Sequence, residues 1–258
     1  MTGATIGPVA ITGAANGIGA AVARALSLAG VVTVGLDLRA TIPLLPDGIH
    51  FDVDVTDEEA VSAAIAAAED AVGPLQGLVN AAGILGKVKA PERTRLPDWL
   101  REINVDLTGT YIVARAVGER MAERRSGSIV NIASVAGMTS APTHAYSAAK
   151  AGVISLTRTL AMAWGRRGVR VNAVSPGFTR TAALERGIEA GAIDDQAMAN
   201  ASAIGRLLEP EEIADPIIWL LGSGSRAVTG INLPVDAGFL AGVTWSAYGS
   251  AAQPSSGA

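Results

Sequence analysis

Tyr146 and Lys150 stand four residues apart in Ala145-Tyr146-Ser147-Ala148-Ala149-Lys150. On a helix, positions i and i+4 share a face, one turn apart. A phenol of ordinary acidity, with a pKa of about 10, is a poor base at neutral pH. A neighbouring ammonium favours the phenolate, so this spacing suits a general base that takes the proton of a hydroxyl. The same spacing also arises by chance, with the tyrosine packed and the lysine solvated. The pair therefore gains meaning only from the elements that carry it and the residues brought to it.

Those elements alternate along the chain. Val9-Ala10-Ile11 reads as a strand and Ile18 to Ala29 as a helix. Val31 to Leu36 is a second strand, and a third is expected near Ile49 to Val53. Thr56 followed by Glu59 resembles a capping box that opens a helix to about Val72. Leu78-Val79 is a fourth strand, followed by a helix from about Pro97 to Glu123, and Ser128 to Ile132 is a fifth strand. The helix bearing Tyr146 and Lys150 runs to about Trp164, ahead of a sixth strand at Val169 to Val174. Thr181 to Ala203 reads as a helical insert, Pro210 to Leu221 as a further helix and Ile231 to Val235 as a last strand. This alternation predicts an α/β protein whose parallel sheet is covered on both faces, with right-handed crossovers.

The 258 residues suffice for one large domain, expected over 1–248, with a Gly-, Ala-, Ser- and Pro-rich tail, 249–258, expected to be disordered. Apolar residues make up 49% and charged residues 17%, which excludes a disordered chain. A net charge of −4 without a basic run gives no reason to expect nucleic acid. The absence of cysteine excludes disulfides and thiolate metal sites, and two histidines, His50 and His144, argue against a histidine-based metal site. No basic leader and no apolar run of about 18 residues is present, so a cytoplasmic protein away from the membrane is expected.

Thr12-Gly13-Ala14-Ala15-Asn16-Gly17-Ile18-Gly19 lies between the first strand and the first helix. Glycines there let the backbone turn sharply and approach a pyrophosphate, while free N–H groups and the dipole at the helix N-terminus favour anions. The spacing is G-x3-G-x-G, not the common G-x-G-x-x-G, and a glycine triplet alone is often just a turn. The strand–loop–helix context favours a dinucleotide. Asp37 ends the second strand 18 residues after Gly19 and can accept hydrogen bonds from an adenosine ribose. It would repel a 2′-phosphate, and neither Asn16 nor Leu38 supplies a cation against it. Arg39 is read as a solvated surface residue. The cofactor expected is NAD.

Together these residues resemble the short-chain dehydrogenase/reductase family in its single-domain form, from about Pro8 to Phe239. The resemblance rests on the Thr12–Gly19 loop, Asp54-Val55, Asn80-Ala81-Ala82-Gly83, Asn104, Ser134, Tyr146 with Lys150, and Pro176-Gly177. It implies a doubly wound, Rossmann-type sheet of about seven strands in three α/β/α layers. Asp54 and Val55 would hold the adenine, and Asn80 would support the cofactor floor, with Ala81 and Gly83 leaving room for the ribose. After Pro176-Gly177, Thr179 and Thr181 would contact the nicotinamide carboxamide and the phosphates.

The same resemblance implies reversible hydride transfer between a secondary alcohol and NAD. Tyr146 would be the base and Ser134 a donor to the substrate oxygen. Lys150 would also hold the nicotinamide ribose, and Asn104 would bend its helix and hold a water that links Lys150 to solvent. Ser134 and Tyr146 are 12 residues apart where the family more often shows 13, which shortens the loop over the substrate.

Candidate pocket residues are Ala136, Met138, His144, Phe178 and the insert around Leu184 to Met198; His144 could equally be a surface residue at a helix start. No arginine cluster stands there, which favours a neutral alcohol, diol, polyol or ketone as the small-molecule substrate. Val235-Asp236-Ala237-Gly238 resembles the family's last strand at a subunit interface, with Ala237 where a second glycine is usual. A homotetramer is expected, with Trp245 and Tyr248 either packed simply or reaching a neighbouring subunit. An NADPH-dependent ketoreductase, such as a 3-oxoacyl reductase, and a non-catalytic NAD-binding regulator remain as alternatives.

Overall fold

The structure is a computed structural model, and it describes residues 6–38, 48–86, 88–191 and 193–245. Arg39, Tyr248 and the tail 249–258 lie outside the described residues. Seven strands form one parallel sheet: β1 (Val9–Thr12), β2 (Thr33–Asp37), β3 (Ile49–Asp52), β4 (Gly77–Asn80), β5 (Gly127–Ile132), β6 (Val169–Pro176) and β7 (Asn232–Val235). Their order across the sheet is β3-β2-β1-β4-β5-β6-β7. The helices are α1 (Gly17–Leu28), α2 (Glu58–Val72), α3 (Leu96–Ile103), α4 (Thr110–Arg124), α5 (His144–Trp164), α6 (Ala182–Glu189), α7 (Asp195–Asn200), α8 (Pro210–Leu221) and α9 (Phe239–Gly242).

The central strands β1 and β4 are buried along their whole length because both faces of the sheet are covered there. Successive side chains alternate between two cores. Ala10, Leu78 and Ile129 face one side, where Val61 and Ile65 of α2, Val113 and Val117 of α4, and Trp164 of α5 pack on them. Val9, Ile11, Val79 and Val130 face the other, against Val22 and Leu26 of α1 and Ile213, Ile217 and Leu220 of α8. The doubly wound, three-layer arrangement is therefore present. Among the described residues no helix is long and apolar enough to cross a membrane.

Two local expectations differ from the structure. The cap of α2 is Asp57, whose carboxylate accepts from Ala60 N at 3.0 Å, and not Thr56. Thr56 instead donates its hydroxyl to Asp54 at 2.7 Å, which orders the turn after β3 and leaves the cap to the stronger, charged acceptor. The helix expected from 97 to 123 is interrupted by a π turn over Asn104–Gly109, between α3 and α4. Such turns insert a residue into the α ladder and frequently mark functional sites. The insert at 181–203 carries α6 and α7, of which only Ala199 in α7 is buried.

Candidate active site

β1 leads outward to β2 and β3, and the chain then returns to β4 on the other side of β1. At such a switch point the loops after the strands diverge and leave a crevice at the carboxyl edge of the sheet. Thr12 pins that edge: its hydroxyl accepts from Ala81 N and Ala82 N, both at 3.0 Å. Asn80 Nδ2 donates to Asn131 Oδ1 at 2.9 Å, and Asn131 Nδ2 donates to Thr157 Oγ1 at 3.0 Å. All three residues are buried. This chain of amides and a hydroxyl runs from β4 through β5 to α5 and fixes the height of the helix that bears Tyr146 and Lys150. Asn131 and Thr157 were not singled out from the sequence, because their value depends on contacts 26 to 51 residues apart.

The crevice has a volume of about 1190 Å³, room for more than a single drug-sized molecule. At one end lies the glycine loop. Gly13 has φ +65°, and a Cβ on Gly19 would stand 2.2 Å from the Gly13 carbonyl oxygen, so only glycines allow this turn. Asn16 precedes α1 without capping it through its side chain, which leaves the first N–H groups of the helix facing outward. Asp37 Oδ2 accepts from Ala15 N at 3.0 Å, tying the end of β2 to the loop. Ile18, Leu38, Asp54, Val55 and Gly83 line the same crevice, as do Gly17 and Ala81. A cradle of this shape fits a dinucleotide: a narrow glycine turn at a helix start, a carboxylate beside it and an apolar slot at Val55.

At the other end stand Ser134, Tyr146 and Lys150. Lys150 is 4% exposed, its Nζ donates to Ile132 O at 3.0 Å, and it lies 5.4 Å from the centroid of the Tyr146 ring. The i, i+4 relation on α5 thus brings ammonium and phenol together as the spacing predicts. Ser134 follows β5 directly and accepts from Ala136 N at 3.1 Å, which holds its oxygen at the crevice wall. The shortened loop after it folds tightly onto α5. A Cβ on Gly137 would stand 2.6 Å from the Lys150 carbonyl carbon, so this segment has no slack.

Asn104, expected to bend its helix and to link Lys150 to solvent through a water, opens the π turn, is exposed and lines the crevice. The residue that reaches Lys150 is Asp106, two positions on, inside the π turn. Its Oδ1 stands 3.7 Å from Lys150 Nζ and accepts from Ile84 N at 3.0 Å. Asp106 lies in the π turn, four residues before Thr110 and seven before Val113, which are buried on α4. Burial pushes the Asp106 carboxyl up to about 6; Glu102 adds to the shift, while Lys150 and the Ile84 N–H oppose it. The charged form is thus disfavoured in the folded chain. The stability that the neutral carboxyl allows is fully present below the ordinary aspartate range near ~3.9. It is lost as the pH rises through about 6, by on the order of 3 kcal/mol. Urea unfolding of wild type and Asp106→Asn should show the stability difference moving toward the variant between pH 4 and 7; parallel curves would refute it.

Pro176, Gly177, Thr179 and Thr181 close the crevice from β6. The Thr179 hydroxyl donates to Gly177 O at 3.0 Å, and Thr181 caps α6 by accepting from Leu184 N at 3.3 Å. Phe178 lines the crevice and meets Phe239 edge-on, with ring centroids 5.0 Å apart. Ala136 lines it too, with Leu184 and Met198 of the insert. Met138 and His144 do not line it and correct the expected pocket. The short 3-10 turn Val135–Gly137 carries Met138 toward β7, where its sulfur accepts from Asn232 Nδ2 at 3.1 Å. His144 sits at the start of α5 with Nε2 3.1 Å from Lys89 O. Ala237 adopts φ +53°, the left-handed region in which a glycine would be unstrained, so the alanine there is held by its surroundings. Trp245 is exposed at the end of the described chain.

With strand order, glycine turn and the Ser134, Tyr146 and Lys150 arrangement in place, the chain belongs to the short-chain dehydrogenase/reductase family. A family model described as enoyl-(acyl carrier protein) reductase matches residues 13–240. The chain is 40% identical over 242 residues to cis-4-hydroxycyclohexanecarboxylate dehydrogenase of Sinomonas cyclohexanicum, covering 90% of this chain and 95% of that one. It is 38% identical over 246 residues to 2-(S)-hydroxypropyl-CoM dehydrogenase 3 of Xanthobacter autotrophicus, covering 90% and 96%. A crystal structure described as ribose-5-phosphate isomerase from Brucella melitensis 16M superposes with a TM-score of 0.92 at 43% identity, covering 95% and 96%. A fold hosts many reactions, so activity has to be argued from the site.

Proposed function

We propose that this protein is an NAD-dependent dehydrogenase that oxidises a neutral secondary alcohol to a ketone, reversibly. The observation that carries the proposal is a single crevice holding the glycine turn and Asp37 at one end and Ser134, Tyr146 and Lys150 at the other. When bound, the nicotinamide supplies the hydride acceptor for the carbinol carbon. Tyr146 takes the hydroxyl proton as general base, and Lys150, within 5.4 Å of its ring, favours the phenolate form electrostatically. Ser134 donates to the substrate oxygen and stabilises the charge that develops on it.

Both sequence relatives described above are named as dehydrogenases of secondary alcohols, which supports the same reaction here. The crevice lining includes the apolar Leu85, Val88, Leu100, Leu184, Met198 and Phe239, with Arg101 and Asp194 as two charges of opposite sign. That lining favours an uncharged substrate, such as a cyclic alcohol or a diol. The family resemblance supports a homotetramer, and the composition fits the cytoplasm. Reduction of NAD⁺ by a panel of diols, sugar alcohols, cyclic alcohols and hydroxysteroids, followed by absorbance, tests the proposal. Turnover with none of them, against ready NADPH-dependent reduction of ketones, would replace it by the reductase alternative.

NAD preference is assigned to Asp37, whose carboxylate stands beside the glycine turn where a 2′-phosphate would meet it. Asp37→Ala should narrow the ratio of kcat/KM with NAD to that with NADP by about 5-fold or more, since two unit charges about 4 Å apart interact by ~1 kcal/mol even in bulk water. An unchanged ratio would remove Asp37 from the ribose site.

A further inference from the structure

We propose that Asp106 is a positioning residue for this reaction, whose carboxyl, by switching between neutral and ionised forms, sets how much of the Lys150 charge acts on Tyr146. This rests on the reading of Tyr146 as the base. The geometry is specific to the π turn. That turn carries the carboxyl inward until it is fully buried, with Oδ1 3.7 Å from Lys150 Nζ and held by the Ile84 N–H. Oδ2 is buried and has no hydrogen-bond partner among the described residues. An ionised carboxylate leaves that buried oxygen without a donor from the described residues, which is costly, whereas the neutral acid carries less charge to bury. Burial accordingly pushes the carboxyl up to about 6.

Lys150 from α5 and Glu102 from α3 are the charged groups that act on Asp106 among the described residues, and Tyr146 lies beyond Lys150. When Asp106 is neutral, the whole Lys150 charge is available to attract a phenolate. When Asp106 is ionised, its negative charge offsets part of that attraction and repels the phenolate as well. The base is then harder to form, and alcohol oxidation needs a higher pH to reach half its full rate. Asp106 loses its proton to solvent as the pH rises and acts on Tyr146 only through charge.

Asp106→Asn tests this, because an amide oxygen can still accept from the Ile84 N–H while the titration is lost. The acid limb of kcat/KM for alcohol oxidation by the NAD-supplied enzyme should move to lower pH by about one unit, which raises the rate on that limb by up to about 10-fold. A purely structural residue would lower activity without moving the limb, and superimposable limbs overturn the proposal. In wild type, aspartate-specific carbon-13 labelling should show one carboxyl titrating near pH 6; if every aspartate titrates below pH 5, the proposal falls whether or not the variant folds. Tyr146→Phe, assayed in parallel, separates the two readings. An inactive Tyr146→Phe with an unmoved Asp106→Asn limb overturns the Asp106 proposal alone, and an active one overturns the base reading that underlies it.

Discussion

Tyr146→Phe is expected to lower turnover of the authentic alcohol by about 10³-fold while leaving the affinity for NAD close to that of wild type, since positioned acid–base groups contribute roughly 10²–10⁴-fold. The substitution removes one oxygen and nothing else. Phenylalanine keeps the half-buried ring at the crevice wall, and Lys150 keeps its bond to Ile132 O, so the arrangement around the cofactor survives. Without the phenol no group at that position can accept the hydroxyl proton. Single-turnover reduction of NAD⁺ together with a binding titration measures both halves of the prediction. Wild-type turnover in the variant would show that the proton leaves by another route, with Asp106 or a solvent chain as the first place to look.

Gly19→Ala is expected to weaken dinucleotide binding by about 100-fold, the scale of a misplacement of about 1 Å in a positioning element. The added methyl would stand 2.2 Å from the Gly13 carbonyl oxygen, 2.8 Å from its carbon and 3.3 Å from Ala14 N, all backbone atoms. No rotamer relieves that contact. Gly13 cannot retreat either, because its N–H is bonded to Leu36 O at 2.9 Å and the backbone of Ala82 lies just behind it. The loop must therefore move away from the start of α1, and the N–H groups assembled there disperse. Fluorescence titration with NADH measures the loss, and circular dichroism checks that the sheet persists. Wild-type affinity in a folded variant would show that the pyrophosphate does not sit on this turn.

These expectations could be drawn because the chemistry of this chain is carried by short-range patterns. The glycine turn needs only eight consecutive residues, and the Tyr146–Lys150 pair one turn of helix. Asp37 needs only the end of the next strand. The parallel sheet was legible for a similar reason: runs such as Val9-Ala10-Ile11 and Ile129-Val130 must bury both faces. Where the reading failed, the cause was a change of phase or direction that no local pattern records. The π turn carries Asp106 inward to Lys150, a contact that helix periodicity alone does not announce. The tight turn after Ser134 sends Met138 to Asn232 instead of into the crevice. Asn131 and Thr157 escaped notice because a buried amide declares its purpose only once its distant partner is in place.

The tight seating of the loop after Ser134 on α5 has a consequence for how such a protein can change over time. One wall of the substrate space is welded to the helix of the base: a methyl on Gly137 would collide with the backbone at Lys150, so variation there disturbs the chemistry itself. The facing wall is the insert of α6 and α7, whose side chains are almost all outside the core. Heritable variation in Leu184, Ala197 or Met198 can reshape what is admitted while the proton and charge machinery stays as it is. Selection for a new alcohol would thus meet little resistance on one side and a veto on the other.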